Sequence, residues 1–287
     1  MSLKSNDTSK KVWMITGAGR GMGLDITKAV LAAGDLVVAT GRNIEKVKQR
    51  IGESENVLVV KLDVTSSIDA ESAVQLALDR FGRIDILVNN AANFKAGFFE
   101  ELTQDEIMQQ LQTSLIGPML VTRAVLPIMR KQRSGHIISI SSTAGLAGFE
   151  FCSAYSASKF GLEGWMQALQ TEIIPFGINT TTVNPGFFRT ELLTEESTDY
   201  ASHEITDYTE RRIQQMQFWK GANGQQSGDP TKLANALLTI AGEKNPPQRF
   251  LAGADAIGLA EQVIEKLQKQ TNSYRELSSS LAYDEAK

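Results

Sequence analysis

Tyr155 and Lys159 stand four residues apart in the run YSASK, with Ser142 thirteen residues upstream of the tyrosine. Residues at i and i+4 share one face of a helix, so this spacing sets a phenol beside an ammonium. A nearby cation stabilises the phenolate and lowers the phenol's pKa. A free phenol titrates at about 10, and bringing it to about 7 takes about 4 kcal/mol of differential stabilisation. So assisted, a tyrosine can give and take a proton near neutral pH.

A second motif supplies a partner for that chemistry. TGAGRGMG at 16–23 follows the apolar run VWMIT and opens a helical pattern. Glycines here permit a tight turn and let the backbone approach a pyrophosphate, whose charge is favoured at a helix N-terminus. Gly17, Gly21 and Gly23, preceded by Thr16, have the spacing of a dinucleotide loop. A dinucleotide beside a proton-transferring tyrosine is the equipment for interconverting a carbonyl and an alcohol. At the end of the second predicted strand, an NAD site usually carries an acid for the ribose 2′-OH. This chain has Gly41 and Arg42 there, with no acid before Glu45, and Arg20 inside the loop. Two guanidinium groups suit a 2′-phosphate, so NADP(H) is the expected cofactor, with NAD(H) the alternative.

These residues must be positioned by a scaffold, and the patterning describes one. Runs at 12–16, 36–40, 57–62, 84–90, 136–141 and 178–184 read as strands, with 249–253 a seventh. Segments 21–33, 67–81, 103–111, 118–132, 153–175 and 229–241 read as helices. Strands alternating with helices predict an α/β fold, with a parallel sheet of about seven strands between two helical layers. The strands are near-continuously apolar, as strands buried on both faces are. Residues 1–11 read as a disordered polar tail, 12–270 as one domain and 271–287 as a C-terminal tail or docking segment. Residues 187–228 interrupt the rhythm, and an insertion that long is expected to be a substrate loop or lid.

Composition bounds the rest. The chain has 287 residues, 42% apolar and 22% charged, with a net charge of −4. That balance argues against nucleic acid or an anionic membrane as the main partner. One cysteine and two histidines leave no disulfide framework and no expected metal site. There is no signal-peptide core and no apolar run of ~20 residues, so a cytoplasmic location is expected.

Taken together, the motifs resemble the short-chain dehydrogenase/reductase family across residues 11 to 255. TGxxxGxG at 16–23 is joined by Leu62-Asp63-Val64, NNAA at 89–92, ISS at 140–142, YSASK at 155–159 and NPGFFRT at 184–190. Ala92 stands where the family usually has glycine. The resemblance implies a Rossmann-type fold and assigns roles. Tyr155 is the acid/base, Lys159 holds the nicotinamide ribose and lowers the tyrosine's pKa, and Ser142 binds the substrate oxygen. Gly17, Arg20, Gly21, Met22 and Gly23 form the pyrophosphate loop, with Arg42 beside the adenosine. Asp63 and Val64 meet the adenine, and Asn90 and Ala91 its ribose. Pro185, Gly186, Phe188 and Thr190 close over the carboxamide. Ser114 occupies the position of an asparagine whose backbone holds a water linking the lysine to solvent. The resemblance also implies self-association into dimers or tetramers through the helices at 118–132 and 153–175.

The remaining candidates are read more plainly. His136 is expected to be a structural strand residue, His203 a solvated loop residue and Cys152 a core residue near the site. Phe94, Phe98, Phe149 and Phe151, with the apolar residues of the insertion, are candidates for a hydrophobic substrate wall. Arg189 and Arg211 leave an acidic substrate open. The leading expectation is NADPH-dependent reduction of a bulky hydrophobic ketone or aldehyde. The alternatives are an NAD-dependent alcohol or steroid-type dehydrogenase and a non-catalytic dinucleotide sensor.

Overall fold

The computed structural model describes residues 10–194 and 197–283. Residues 1–9, most of the expected N-terminal tail, and 284–287 lie outside the described residues. Among these residues one seven-stranded sheet dominates, in the order β3-β2-β1-β4-β6-β7-β9. Its strands are β1 (Val12–Ile15), β2 (Leu36–Gly41), β3 (Val57–Lys61), β4 (Ile86–Asn89), β6 (Gly135–Ile140), β7 (Ile178–Pro185) and β9 (Arg249–Ala252). Every neighbouring pair is parallel, as crossover helices require. Strand order reverses between β1 and β4, and ligands of such sheets bind beyond the carboxyl ends there.

Helices cover both faces. One layer holds α3 (Ser67–Phe81), α5 (Gly117–Gln132) and α6 (Ser153–Ile173), whose Val74, Val125 and Leu162 share a core with Met14 and Leu87. The other holds α1 (Gly21–Ala32) and α8 (Pro230–Gly242), whose Ile26 and Leu237 meet Trp13, Ile15 and Val183. Caps fix the ends. Ser66 accepts from Asp69 N and Gly82 closes α3 at φ 76°, while Asp229 caps α8 ahead of Pro230.

Four parts of the fold go beyond the sequence reading. A short helix α2 (Ile44–Ile51) follows β2, and α9 (Ala254–Ser273) with α10 (Arg275–Ser279) extends the C-terminus as helix. Between α4 (Gln104–Leu111) and α5 the chain stays helical through a π-turn over Gln112–Ile116. The resulting 29-residue rod is long and apolar enough, by length and composition alone, to cross a membrane; here α5 buries Val121, Val125 and Met129 in the core. Finally, the insertion is built rather than loose. Its strand β8 (Thr198–Tyr200) pairs in parallel with β5 (Phe94–Ala96), and α7 (Thr209–Ala222) follows.

Candidate active site

A cleft of about 680 Å³ lies along the carboxyl ends of β1, β4, β6 and β7. Every residue assigned above to the cofactor or the chemistry lines it, except Gly23 and Ser114.

At one end the backbone is shaped for a pyrophosphate. Gly17 and Gly21 have φ of 66° and 51°, where a side chain is strained. A Cβ on Gly23 would lie 2.3 Å from the Gly17 carbonyl oxygen and 2.4 Å from Asn90 Nδ2. Gly23 therefore acts from behind, letting α1 pack onto the turn. Asn90 holds that turn by donating to the Thr16 and Gly17 carbonyls at 2.9 and 3.2 Å. The N-cap of α1, Arg20, makes no side-chain cap, which leaves first-turn N–H groups to an anion. This cradle fits a dinucleotide.

The adenosine end is cationic. Thr65 donates twice to Asp63, at 2.9 and 2.7 Å. Burial alone would raise the Asp63 carboxyl, but these bonds and the charges of Arg42 and Lys61 hold it below its ordinary range. Arg20 does not turn to this corner. Its Nη1 donates to Ser197 of the insertion at 2.6 Å. Lys46, on α2, lines the cleft with Arg42; the sequence reading missed it because α2 was not recognised.

At the other end Tyr155 and Lys159 project from α6, 8% and 3% exposed. Tyr155 shares the cleft with Ser142, which is extended (φ −168°) just past β6 and accepts from Ala144 N at 3.1 Å. Lys159 Nζ lies 5.6 Å from the tyrosine ring centroid and donates to the Ile140 carbonyl at 2.9 Å. Burial pushes the Tyr155 phenol up to about 12, against the lowering by Ser142. Burial also drops Lys159 to about 8, against the support of Glu163. The phenol is thus protonated at neutral pH.

Ser114 sits behind the cleft. Its hydroxyl donates to Asn93 Oδ1 at 2.9 Å and accepts from Gln110 Nε2 at 2.8 Å. Pro118, four residues on, has no N–H to give the Ser114 carbonyl, and the π-turn falls at this place.

The substrate end is aromatic. Phe94 meets Tyr155 and Trp219 edge-on at 5.0 and 5.4 Å, and Phe187 stacks on Trp219 at 6.1 Å. Phe149, Leu192 and Leu193 complete the lining. Other candidates are elsewhere. Phe98 and Phe151 pack against each other behind the wall, Met216 packs on the same cluster and Phe218 is exposed. Arg211 pairs with Glu150 and covers Phe98, and Arg189 donates to the Gln226 carbonyl. Neither arginine lines the cleft. Cys152 lines it, but burial pushes its thiol up to about 12.

Known proteins resemble this chain in sequence and in fold. The family model described as short chain dehydrogenase matches residues 11–201. Oxidoreductase BOA17 of Botryotinia fuckeliana is 36% identical over 276 residues, 93% of this chain and 98% of that one. A 3-ketodihydrosphingosine reductase of Bacteroides thetaiotaomicron is 34% identical over 244 residues, covering 85% and 88%. The crystal structure of a short-chain dehydrogenase from Streptomyces avermitilis superposes with a TM-score of 0.87 at 33% identity, covering 96% of this chain and all of that one. With its parallel seven-stranded sheet, its glycine cradle and its serine, tyrosine and lysine in one cleft, this chain belongs to the short-chain dehydrogenase/reductase family of oxidoreductases.

Proposed function

We propose that the protein is an NADPH-dependent reductase of bulky hydrophobic ketones or aldehydes, with Tyr155 as the acid. The observation that carries this reading is the buried Tyr155 side chain, one turn from Lys159 on α6, sharing one cleft with Ser142 and faced by the aromatic wall. Bound NADPH would supply a hydride to the carbonyl carbon. The chain's own residues do the rest. The Ser142 hydroxyl and Tyr155 Oη converge on the position of the carbonyl oxygen, where charge develops and oriented donors contribute most. Tyr155 gives up its proton there, and the Lys159 ammonium favours the resulting phenolate. Phe94, Trp219 and Phe187 exclude water and select apolar groups. A phenol protonated at neutral pH is in the state that reduction requires; alcohol oxidation by the same site begins from the phenolate and is favoured by alkaline pH.

Arg42 and Lys46 support the NADP(H) preference, since both are cations and the nearby Glu45 points elsewhere, pairing with Lys48 at 3.7 Å. The Bacteroides relative, named for a keto substrate, supports the reductive direction. A relative from Sinomonas cyclohexanicum, 36% identical over 202 residues (67% of this chain and 78% of that one), is named trans-4-hydroxycyclohexanecarboxylate dehydrogenase. It stands for the oxidative alternative.

The test is the initial rate of reduction of a hydrophobic aryl ketone with NADPH and with NADH. Turnover favouring NADPH is expected. Tyr155→Phe should abolish it while leaving NADPH binding intact, and Arg42→Ala should raise the NADPH KM about tenfold, the loss of one charge-assisted hydrogen bond. Equal efficiency with NADH would refute the cofactor assignment. Full activity of Tyr155→Phe would refute the acid.

A further inference from the structure

We propose that Glu163 is a positioning residue that holds the Ser142 peptide in its working arrangement through Asn184 and, one helical turn past Lys159 and balanced by Arg249, sets the electrostatic surroundings of the Lys159 ammonium. The inference deepens the reading of Tyr155, Lys159 and Ser142 given above and rests on it.

Glu163 follows Lys159 by one helical turn and Tyr155 by two, on the same buried face of α6. It is 4% exposed. A carboxylate so buried must be paired and hydrogen-bonded, and both its oxygens are engaged. Oε1 accepts from Asn184 Nδ2 at 2.6 Å, and Oε2 from Arg249 Nη2 at 2.8 Å. The same Asn184 nitrogen donates to the Ser142 carbonyl at 3.0 Å. One amide nitrogen thus forks between the carboxylate and the peptide that carries the substrate-binding hydroxyl. The serine loop also rests directly on the glutamate: a Cβ on Gly145 would lie 3.1 Å from Glu163 Cγ and Oε1.

The arrangement has an electrical side. Lys159 is enclosed, with Nζ against the Ile140 carbonyl, and Glu163 is the carboxylate that supports its charge. Among the described residues, the titratable or charged groups recorded around these two side chains are Tyr155 and Cys152 at the start of α6 and Arg249 from β9. Strands β6 and β7 contribute Ser142 and Asn184, which do not titrate. Glu163 therefore stands between two cations, one in the active site and one at the sheet edge. Removing its charge should weaken the proton affinity of Lys159, and removing Arg249 should strengthen it. A purely structural clamp predicts no such opposition.

The experiment uses the full chain without cofactor, labelled with lysine enriched in carbon-13 at Cε. The Lys159 signal is assigned by its loss in Lys159→Arg and titrated in wild type, Glu163→Gln and Arg249→Gln. A fall of about tenfold in proton affinity is expected for Glu163→Gln, one unit of pKa being the low end for a nearby charge, with a rise for Arg249→Gln. The alkaline limb of the kcat/KM profile for ketone reduction should move in the same directions. An unchanged Lys159 titration, or shifts of the same sign in both variants, would overturn the proposal. If Glu163→Gln does not fold, the half-exposed Arg249→Gln decides alone: a rise supports the proposal and no change overturns it. The titration needs no turnover, so a wild type inactive on ketones would refute the proposed function without touching this inference.

Discussion

Acidification should destabilise this protein through His136, a residue remote from the cleft. His136 opens β6 and is 6% exposed. Its Nε2 lies 2.8 Å from Thr181 Oγ1, and that hydroxyl's single proton goes to the Pro247 carbonyl at 2.6 Å. The histidine must therefore be the donor, which fixes the neutral tautomer with its proton on Nε2. Burial, aided by the positive charge of Lys11, lowers its pKa from 6.5 to about 4. The unfolded chain thus binds a proton that the folded chain refuses between these values. Stability is complete above pH 6.5 and is lost as the pH falls toward 4. At 1.36 kcal/mol per unit, wild type should lose about 2–3 kcal/mol between pH 7.5 and 4.5 through this group. Urea unfolding of wild type and His136→Gln at both pH values measures it, because glutamine can still donate to Thr181 but cannot titrate. The carboxylates titrate alike in both proteins and cancel in the comparison. Equal losses in the two proteins would refute the reasoning.

Three further outcomes are expected. Gly23→Ala should cost about 1–3 kcal/mol of stability by overpacking, since its methyl would meet the Gly17 carbonyl at 2.3 Å, and should abolish NADPH binding measured by fluorescence. Trp219→Ala should raise KM about tenfold for bulky aryl ketones, through lost aromatic contact, and leave small ketones unaffected; equal effects on both would argue against a wall. Glu101 is fully buried, pairs with Arg212 at 2.9 Å and accepts from Ile205 N at 3.0 Å. Glu101→Ala leaves the buried arginine only the exposed Glu204 at 3.6 Å as a carboxylate partner, so the loss should fall at or below the about 3–5 kcal/mol of a fully broken buried pair, and limited proteolysis should then cut the insertion faster, at unchanged cofactor affinity.

The sheet was readable because its strands are buried on both faces, so Val37-Val38 and Ile137-Ile138 announce themselves as continuous apolar runs. The glycine turn and the shared helix face of Tyr155 and Lys159 were readable because both are set by local spacing. What escaped depends on tertiary contact. Strands β5 and β8 have three residues each and find one another across about a hundred positions, and no local pattern encodes that pairing. The helix α2 is short and mostly solvated, burying only Val47. Phe98 and Phe151 share the composition of Phe94 but face away from the cleft, which periodicity in loops does not reveal. Glu163 left a trace that could have been followed: a carboxylate on the apolar face of α6, in step with Lys159, requires a buried partner.

The small β5–β8 ribbon, together with the Arg212–Glu101 pair, fastens the insertion to the catalytic body at its base, while α7 beyond it supplies Trp219 to the cleft. The aromatic end of the cleft is thus seated on the body by backbone pairing and a buried ion pair, and a hydrogen bond from Arg20 to Ser197 ties the insertion to the glycine loop. Such a joint makes α7 an exchangeable cassette. Its inner residues can be rewritten, by drift or by an engineer, while the strand pairing that seats the helix stays in place, so that one chassis can carry differently shaped clefts.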